Sequence, residues 1–178
     1  MTASSPLAAV RETLAADRAL LLSAVDRVPV ALRTRKPGPD RWSVQDVLEH
    51  LSIVERGALM RIAGLVEAAP RAEAPVSGTP TPFDRGRLAN RAQKITAPDR
   101  IVPTGALSVD ASLQSLTESR TRLLALLDAA EGKDLTKVSV EHPALGPLDG
   151  YQWISAVSAH EMRHALQIDE IAAALATA

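Results

Sequence analysis

The chain of 178 residues carries a net charge of −1, contains no cysteine and is 46% hydrophobic. This length and composition predict one globular domain, spanning residues 1–178, rather than a disordered chain. The near-neutral charge argues against nucleic acid and membrane partners, and the lack of cysteine excludes disulfides, thiolate metal ligands and a cysteine nucleophile.

The first two predicted elements are amphipathic helices. Aromatic residues make up only 2% of the chain, which is low for a β-sandwich or barrel. The first helix is predicted from Pro6 to Val28, with Ser5 as its N-cap and apolar residues at helical spacing. The second is predicted to begin after Ser43, which can form a capping box with Asp46, and to end near Ala69.

Residues 70–107 break this pattern and predict a long irregular crossover between the second and third helices. The segment contains six of the twelve prolines of the chain, and a short helix is expected within it, around Asp84 to Lys94. A loop of this length in a compact domain is usually functional or mobile. The sequence leaves open whether the segment has a functional role or is a disordered connection.

Two more helices complete the predicted fold. The third is predicted from Ser108 to Glu131, and residues 133–150 are predicted to be loop and turn. The fourth begins with a capping box of Asp149 and Gln152 and continues to about Ala174. Four amphipathic helices of this length predict an all-α four-helix bundle.

The fourth helix contains HEMRH, and both of its histidines fall on the apolar face. At 100° per residue, His160 and His164 share this face with Gln167, and two imidazoles one turn apart can lean toward a single metal ion. His50 lies at the edge of the apolar stripe of the second helix and is the predicted third ligand, because bundle metal sites use inward side chains on facing helices. Three histidines leave a coordination position open, as catalytic sites do. His142, in a turn before a proline, is predicted to be structural.

The same five residues match the H-E-x-x-H signature of zinc proteases, in which the glutamate is the general base. Glu161 is predicted at the edge of the site or toward solvent. The segment after His164 lacks the third ligand of the metzincin form, and its only acids, Asp169 and Glu170, lie off the histidine face. A protease is therefore the less favoured interpretation.

Three segments together resemble the DinB-like superfamily of metal-binding four-helix bundles: RWSVQDVLEHL, EHPALGPLDGYQWI and AHEMRHALQI. This family includes bacillithiol transferases and mycothiol-dependent maleylpyruvate isomerases. The resemblance covers nearly the whole chain and places the family's metal triad on His50, His160 and His164. It implies zinc or nickel as the cofactor, dimerisation through the helices, and a Glu161 that is a variable neighbour of the ligands rather than a base.

By resemblance, the expected activity is metal-dependent transfer of a low-molecular-weight thiol to an electrophile, or a related hydrolysis or isomerisation. The thiol must come from the substrate, because the chain has no cysteine. Two alternatives stay open: a non-catalytic protein that binds metal or a small ligand, and a bundle whose histidines only form hydrogen bonds. The sequence therefore does not decide whether the protein is an enzyme. No apolar run approaches a membrane span and no signal peptide is evident, so a cytoplasmic location is expected.

The neighbours of the predicted ligands also receive expected roles. Gln167 is a candidate to hydrogen-bond a ligand histidine or a bound water, with a satisfied core amide as the alternative. Trp42 and Trp153 are expected to act as hydrophobic staples at the helix starts rather than to contact substrate. Glu49 and Glu55 lie near His50 and could orient its ring, but glutamates beside the apolar stripe of a bundle are usually solvated. Arg163 is expected to be a surface charge.

Overall fold

The computed structural model describes residues 5–74, 76, 82–92 and 95–177, and four long helices dominate them. The predicted all-α four-helix bundle is confirmed, and the ends of the long helices differ from the predicted ends by at most two residues. The helices are α1 (Pro6–Asp26), α2 (Val44–Ala68), α3 (Arg85–Ala89), α4 (Val109–Ala129) and α5 (Gly150–Ala176), and the strands are β1 (Ser139–His142) and β2 (Gly146–Asp149).

In its described residues, the crossover between α2 and α4 contains the short helix α3 and a 3-10 turn at Asp99–Ile101. The side chain of Asp84 caps α3 by accepting a hydrogen bond from the backbone N–H of Arg87 at 2.9 Å. This helix is shorter than the one predicted from the sequence, and the predicted end at Lys94 lies outside the described residues.

Both predicted capping boxes are present, and they fix where α2 and α5 begin. The Ser43 hydroxyl accepts from the Asp46 N–H at 3.2 Å, while the Asp46 carboxylate accepts from the Ser43 N–H at 2.8 Å. Asp149 and Gln152 make the same reciprocal pair at the start of α5. A fixed helix start determines how many turns separate it from each later side chain, so these caps help to set the level at which His50 meets the histidines of α5.

The helix directions explain why the crossover is long. The segments that follow α2 and α4 are joined by a hydrogen bond from Ala72 N–H to the Gly132 carbonyl, so these two helices run parallel. Ion pairs at successive levels show that α1 and α5 are also parallel to each other. Because α2 has 25 residues, the chain must travel back about 37 Å before α4 can start beside it. Residues 69–108 make that return.

The bundle interior consists of two apolar clusters with a layer of charged side chains between them. Every long helix contributes apolar residues to both clusters and one charged residue to the layer. Along α1, for example, Leu14 belongs to the first cluster, Arg18 to the charged layer and Leu21 to the second cluster. Within the described segments, no helix is both long enough and apolar enough to span a membrane.

One prediction of the local structure is wrong. Residues 133–150 were expected to be loop and turn, but β1 and β2 pair antiparallel there, with Val140 opposite Leu148. The indole N–H of Trp153 donates to the Val140 carbonyl at 3.0 Å and ties this hairpin to α5. Two-stranded hairpins are marginal alone, so this one depends on its packing against the helix.

Candidate metal site

Three histidines from two helices meet between α2 and α5. The Nε2 atom of His160 lies 3.3 Å from Nε2 of His50 and 3.1 Å from Nε2 of His164. His50 and His164 are buried, and His160 retains a partly exposed surface. The structure therefore brings together all three residues that the sequence predicted as ligands, and it directs the same ring nitrogen of each toward a common point.

Hydrogen bonds at the other ring nitrogen fix the tautomers of two of these histidines. Nδ1 of His50 lies 2.8 Å from the Ile101 carbonyl oxygen, and Nδ1 of His164 lies 2.8 Å from Oε1 of Gln167. Both partners are acceptors, so each Nδ1 must carry the hydrogen and each Nε2 presents a lone pair to the cluster. The predicted hydrogen bond between Gln167 and a histidine of the cluster is present, with Nδ1–H of His164 donating to the amide oxygen.

The cluster fits a divalent cation better than it fits a set of hydrogen bonds. A hydrogen on Nε2 of His160 could satisfy only one of the two facing lone pairs, which leaves the other buried nitrogen without a partner. Metal–nitrogen bonds of 2.0–2.1 Å in tetrahedral geometry separate neighbouring nitrogens by about 3.3 Å, close to the observed 3.1 and 3.3 Å. Imidazole donors suit ions such as zinc and nickel.

The electrostatic environment keeps these imidazoles neutral, which is the form that binds metal. Burial, together with the charges of His50, Arg163 and His142, lowers the pKa of His160 to about 3. Burial also lowers the pKa of His164 well below its usual value, and that of His50 to a smaller degree. At neutral pH, no proton therefore has to be removed from the rings before a cation can bind.

Trp42 forms one wall of the cluster, which the sequence did not predict. Its ring centroid is 4.9 Å from that of His50 and 6.4 Å from that of His164, nearly parallel to the latter at 18°. Trp42 also packs against the second apolar cluster. The indole thus limits how far two of the imidazoles can rotate.

The crossover is bonded to α5 on the side of the site near His164. Arg163 was expected on the surface, but it is 5% exposed and donates to the carbonyls of Leu88 and Asn90 at 2.9 and 2.7 Å. That prediction was wrong because α3 covers this face of α5, and its last carbonyls accept from the guanidinium. Arg91 approaches Oε1 of Gln167 at 3.5 Å, which links the crossover to the partner of His164.

Glu49 binds the crossover on the opposite side of the site, near His50. It was expected to be solvated, but it is 2% exposed. Its carboxylate accepts from the N–H and hydroxyl of Thr104 at 3.1 and 2.9 Å and from the Gly105 N–H at 2.7 Å. Although burial alone would raise the pKa of Glu49, these hydrogen bonds hold it below its usual value. The expectation failed because the partners come from a segment 55 residues away in sequence.

Glu161, the glutamate of HEMRH, faces the charged layer of the bundle. It was expected at the site edge or toward solvent, but it is 0% exposed. Arg18 and Arg120 each place a guanidinium nitrogen 2.6 Å from one of its oxygens. Glu55, also expected in solvent, is 4% exposed and pairs with Arg18 at 3.0 Å. Burial and the charge of Glu161 raise the pKa of Glu55 to about 8, against the opposing effect of the two arginines.

His142 lies outside the cluster and has a local role. Its Nδ1 accepts a hydrogen bond from the Ala144 N–H at 3.2 Å, and its ring centroid lies 4.8 Å from that of Trp153. These contacts agree with the prediction that His142 stabilises the turn. The two acids after His164 also lie away from the cluster as expected, since Asp169 pairs with Arg27 and Glu170 with Arg91.

Comparisons with known proteins agree with this fold. The uncharacterized protein YuaE of Bacillus subtilis (strain 168) is 28% identical over 138 residues, which cover 77% of this chain and 81% of that protein. The crystal structure of TT2238, a four-helix bundle protein, superposes with a TM-score of 0.61 at 20% identity, covering 92% of this chain and 98% of that one. The family model of the DinB superfamily matches residues 13–168, a range that includes all three clustered histidines. The chain belongs to the DinB superfamily.

Proposed function

We propose that the protein binds one divalent metal ion, zinc or nickel, through His50, His160 and His164. The observation that carries this proposal is the convergence of three Nε2 atoms while Nδ1 of two rings is already engaged. Buried lone pairs directed at one another are unfavourable unless a cation lies between them. Gln167 and the Ile101 carbonyl would then orient two of the ligands, as partners of metal-bound histidines commonly do.

The chemistry we propose is activation of a low-molecular-weight thiol, or of water, for transfer to an electrophile or for hydrolysis. An ion held by three neutral histidines keeps a position open and lowers the pKa of a thiol or water bound there, so that a nucleophile forms near neutral pH. The thiol would belong to the substrate, because the chain has no cysteine. The partly exposed His160 gives the side from which a small molecule would enter.

The contacts of Glu161 argue against a protease of the H-E-x-x-H type. That mechanism needs the glutamate to accept a proton from the attacking water. Both carboxylate oxygens of Glu161 instead accept charge-assisted hydrogen bonds from arginines in the bundle interior. The carboxylate of Glu161 therefore holds Arg18 and Arg120 in place, and these hydrogen bonds keep it on the side of α5 where the two arginines lie.

A second candidate function is non-catalytic binding of metal or a small ligand. It is favoured by the engagement of the two carboxylates that adjoin the histidines in sequence. Glu161 is held by two arginines, and Glu49 by Thr104 and Gly105. Because neither carboxylate is free to act as a general base, the site lacks a group that catalysis often needs, which favours simple binding. If the protein is an enzyme, its nucleophile must ionise when it binds the metal, and a thiol does this more easily than a hydroxyl.

Metal analysis of untagged protein tests the binding step. Wild type, His50→Ala and His142→Ala are purified, incubated with zinc or nickel, passed through a desalting column and analysed for metal content. We expect about one ion per chain in wild type and in the His142→Ala control, and loss of the ion in His50→Ala. No metal in wild type would refute the proposal, and equal retention by His50→Ala would place the third ligand elsewhere.

A thiol-transfer assay then separates the two candidate functions. The metal-loaded protein is mixed with small thiols of different charge and with an electrophile such as an epoxide or an alkylating agent. Turnover that disappears in His160→Ala would support the enzyme, and stoichiometric metal without turnover would support the binding protein. Our proposal includes a cytoplasmic location, where small thiols are kept reduced, and a homodimer, which sedimentation analysis can test.

A further inference from the structure

Glu49 is a buried carboxylate that the proposed function does not use. It lies on α2 next to His50, yet its oxygens point to the crossover and accept three hydrogen bonds from Thr104 and Gly105. Thr104 itself is exposed, so these contacts hold a surface segment onto a buried charge. A carboxylate at 2% exposure with only such partners needs a structural reason to be there.

The segment that Glu49 holds also carries the hydrogen-bond acceptor of His50. Ile101 is three residues before Thr104, and its carbonyl oxygen is 2.8 Å from Nδ1 of His50. Only Val102 and Pro103 separate the two attachment points. Val102 is extended, with φ −70° and ψ 132°, as favoured before a proline, and the proline ring restricts its own φ. The short link is therefore stiff and can transmit a fixed position.

We propose that Glu49 is a positioning residue for the three-histidine site, acting on His50 through the backbone of residues 101–105. Glu49 and His50 are consecutive on α2. The Glu49 side chain binds Thr104 and Gly105 of the crossover, and the His50 side chain donates to the Ile101 carbonyl of the same segment. These two attachments together keep the Ile101 carbonyl hydrogen-bonded to Nδ1 of His50 and keep the lone pair of its Nε2 directed at the cluster. This inference rests on the proposed metal site for its effect on metal affinity.

Only an ionised carboxylate satisfies this arrangement. All the groups that hydrogen-bond to Glu49 are donors: the hydroxyl of Thr104 and the backbone N–H groups of Thr104, Gly105 and Ala106. A glutamine would place an amide NH₂ against one of them, so at least one hydrogen bond would be replaced by a contact between two donors. The substitution Glu49→Gln therefore keeps the volume of the side chain but loses at least one of its hydrogen bonds.

The test compares wild type with Glu49→Gln, Thr104→Val and Glu118→Gln. Thr104→Val removes the hydroxyl donor at an exposed residue while the charge of Glu49 stays. Glu118 lies exposed on α4, where its carboxylate accepts from the Gln114 amide at 3.1 Å, so its substitution is a charge-matched control. Zinc dissociation constants are measured by competition with a chromophoric chelator, and the visible spectrum of the cobalt-loaded proteins reports the ligand geometry. Imidazole ¹⁵N NMR of the metal-free proteins reports the tautomer of His50.

We expect Glu49→Gln to weaken zinc binding about tenfold, the lower end of the effect seen for partners of metal-bound histidines, and to alter the cobalt spectrum. Thr104→Val should change both in the same direction by less, and Glu118→Gln should match wild type. In the metal-free proteins, His50 should be a single Nδ1–H tautomer in wild type and a mixture in Glu49→Gln.

Two results would overturn the inference. One is wild-type affinity, spectrum and tautomer in both Glu49→Gln and Thr104→Val. The other is weakening in Glu49→Gln with an unaltered His50 tautomer and no effect of Thr104→Val, which would mean that only the charge of Glu49 matters. If wild type binds no metal, the proposed function fails, and the His50 tautomer in the metal-free variants still decides the positioning role.

Discussion

The substitution Glu161→Gln tests whether the glutamate of HEMRH stabilises the fold or takes part in chemistry at the histidines. Glu161 is 0% exposed and accepts hydrogen bonds from Arg18 and Arg120 at 2.6 Å. Together with Glu55, these side chains form a layer of two carboxylates and two guanidinium groups. The amide keeps the volume of the side chain but removes its charge, so Glu55, whose pKa of about 8 is raised partly by the charge of Glu161, becomes the one carboxylate of the layer that faces the two guanidinium groups.

The expected cost follows from the burial of all participants. The side chains of Arg18 and Arg120 are only 13% and 12% exposed, so solvent cannot compensate for the lost carboxylate. Removing one partner of a buried ion pair costs about 3–5 kcal/mol. We expect about 3, because the amide oxygen can still accept one hydrogen bond and because Glu55 ionises more readily once the charge of Glu161 is gone. For a chain of 178 residues, this corresponds to a decrease in Tm of about 6–12 °C.

Urea unfolding of the metal-free protein measures this loss, with Asp169→Asn as the matched control. Asp169 is on the same helix and pairs with Arg27, but both side chains are at least 40% exposed, so its substitution should cost less than about 1 kcal/mol. Metal content should be unchanged in Glu161→Gln. The reasoning would be refuted by a variant as stable as wild type that has lost metal-dependent turnover, because Glu161 would then act at the site.

Three further predictions concern the histidines and the crossover. The pKa of His160 is about 3 in the fold and about 6.5 in the unfolded chain. Its contribution to the stability of the metal-free protein is therefore complete above about pH 6.5 and is lost as the pH falls toward 3. The free energy of unfolding in urea should decline less between pH 7.5 and 4.5 in His160→Ala than in wild type. Gln167→Leu removes the acceptor of His164 Nδ1–H and should weaken zinc binding about 10–100-fold; equal affinity in a chelator competition would contradict this. Arg85→Ala leaves the 6%-exposed Asp17 without its 2.6 Å partner and should cost about 1–3 kcal/mol, with faster cleavage of residues 85–91 in limited proteolysis; an unchanged cleavage rate would show that α3 is held by other contacts.

The helices and the three histidines could be predicted because their signals are local in sequence. Capping boxes and helical periodicity depend on residues three or four positions apart, and both boxes are present where the sequence placed them. The pairing of His160 with His164 follows from the same spacing. The choice of His50 needed one further assumption, that the inward face of α2 meets that of α5, and the bundle satisfies it.

The buried charges could not be predicted because their partners are distant in sequence. Glu55, Glu161 and Arg163 each look like surface residues when only their own helix is considered. Arg18 lies 143 residues from Glu161, and the carbonyls that accept from Arg163 lie more than 70 residues before it. No periodicity within α5 reveals that opposite charges occupy the same level on α1 and α4. Such positions are determined by how the four helices align, which sequence spacing alone does not specify.

The direction of α4 connects the topology of the bundle to the chemistry of its site. A four-helix bundle with alternating directions needs only short loops, but α2 and α4 are parallel, so a chain segment must run back along the bundle. In this protein that segment passes the histidines, and it supplies the Ile101 carbonyl to His50 and Arg91 to Gln167, the partner of His164. Two of the three imidazoles are thus oriented with the help of residues that exist only because of the crossover. We therefore expect a shortened crossover that still closes the bundle to preserve the fold but to weaken the proposed metal binding, which would separate the two roles of these residues.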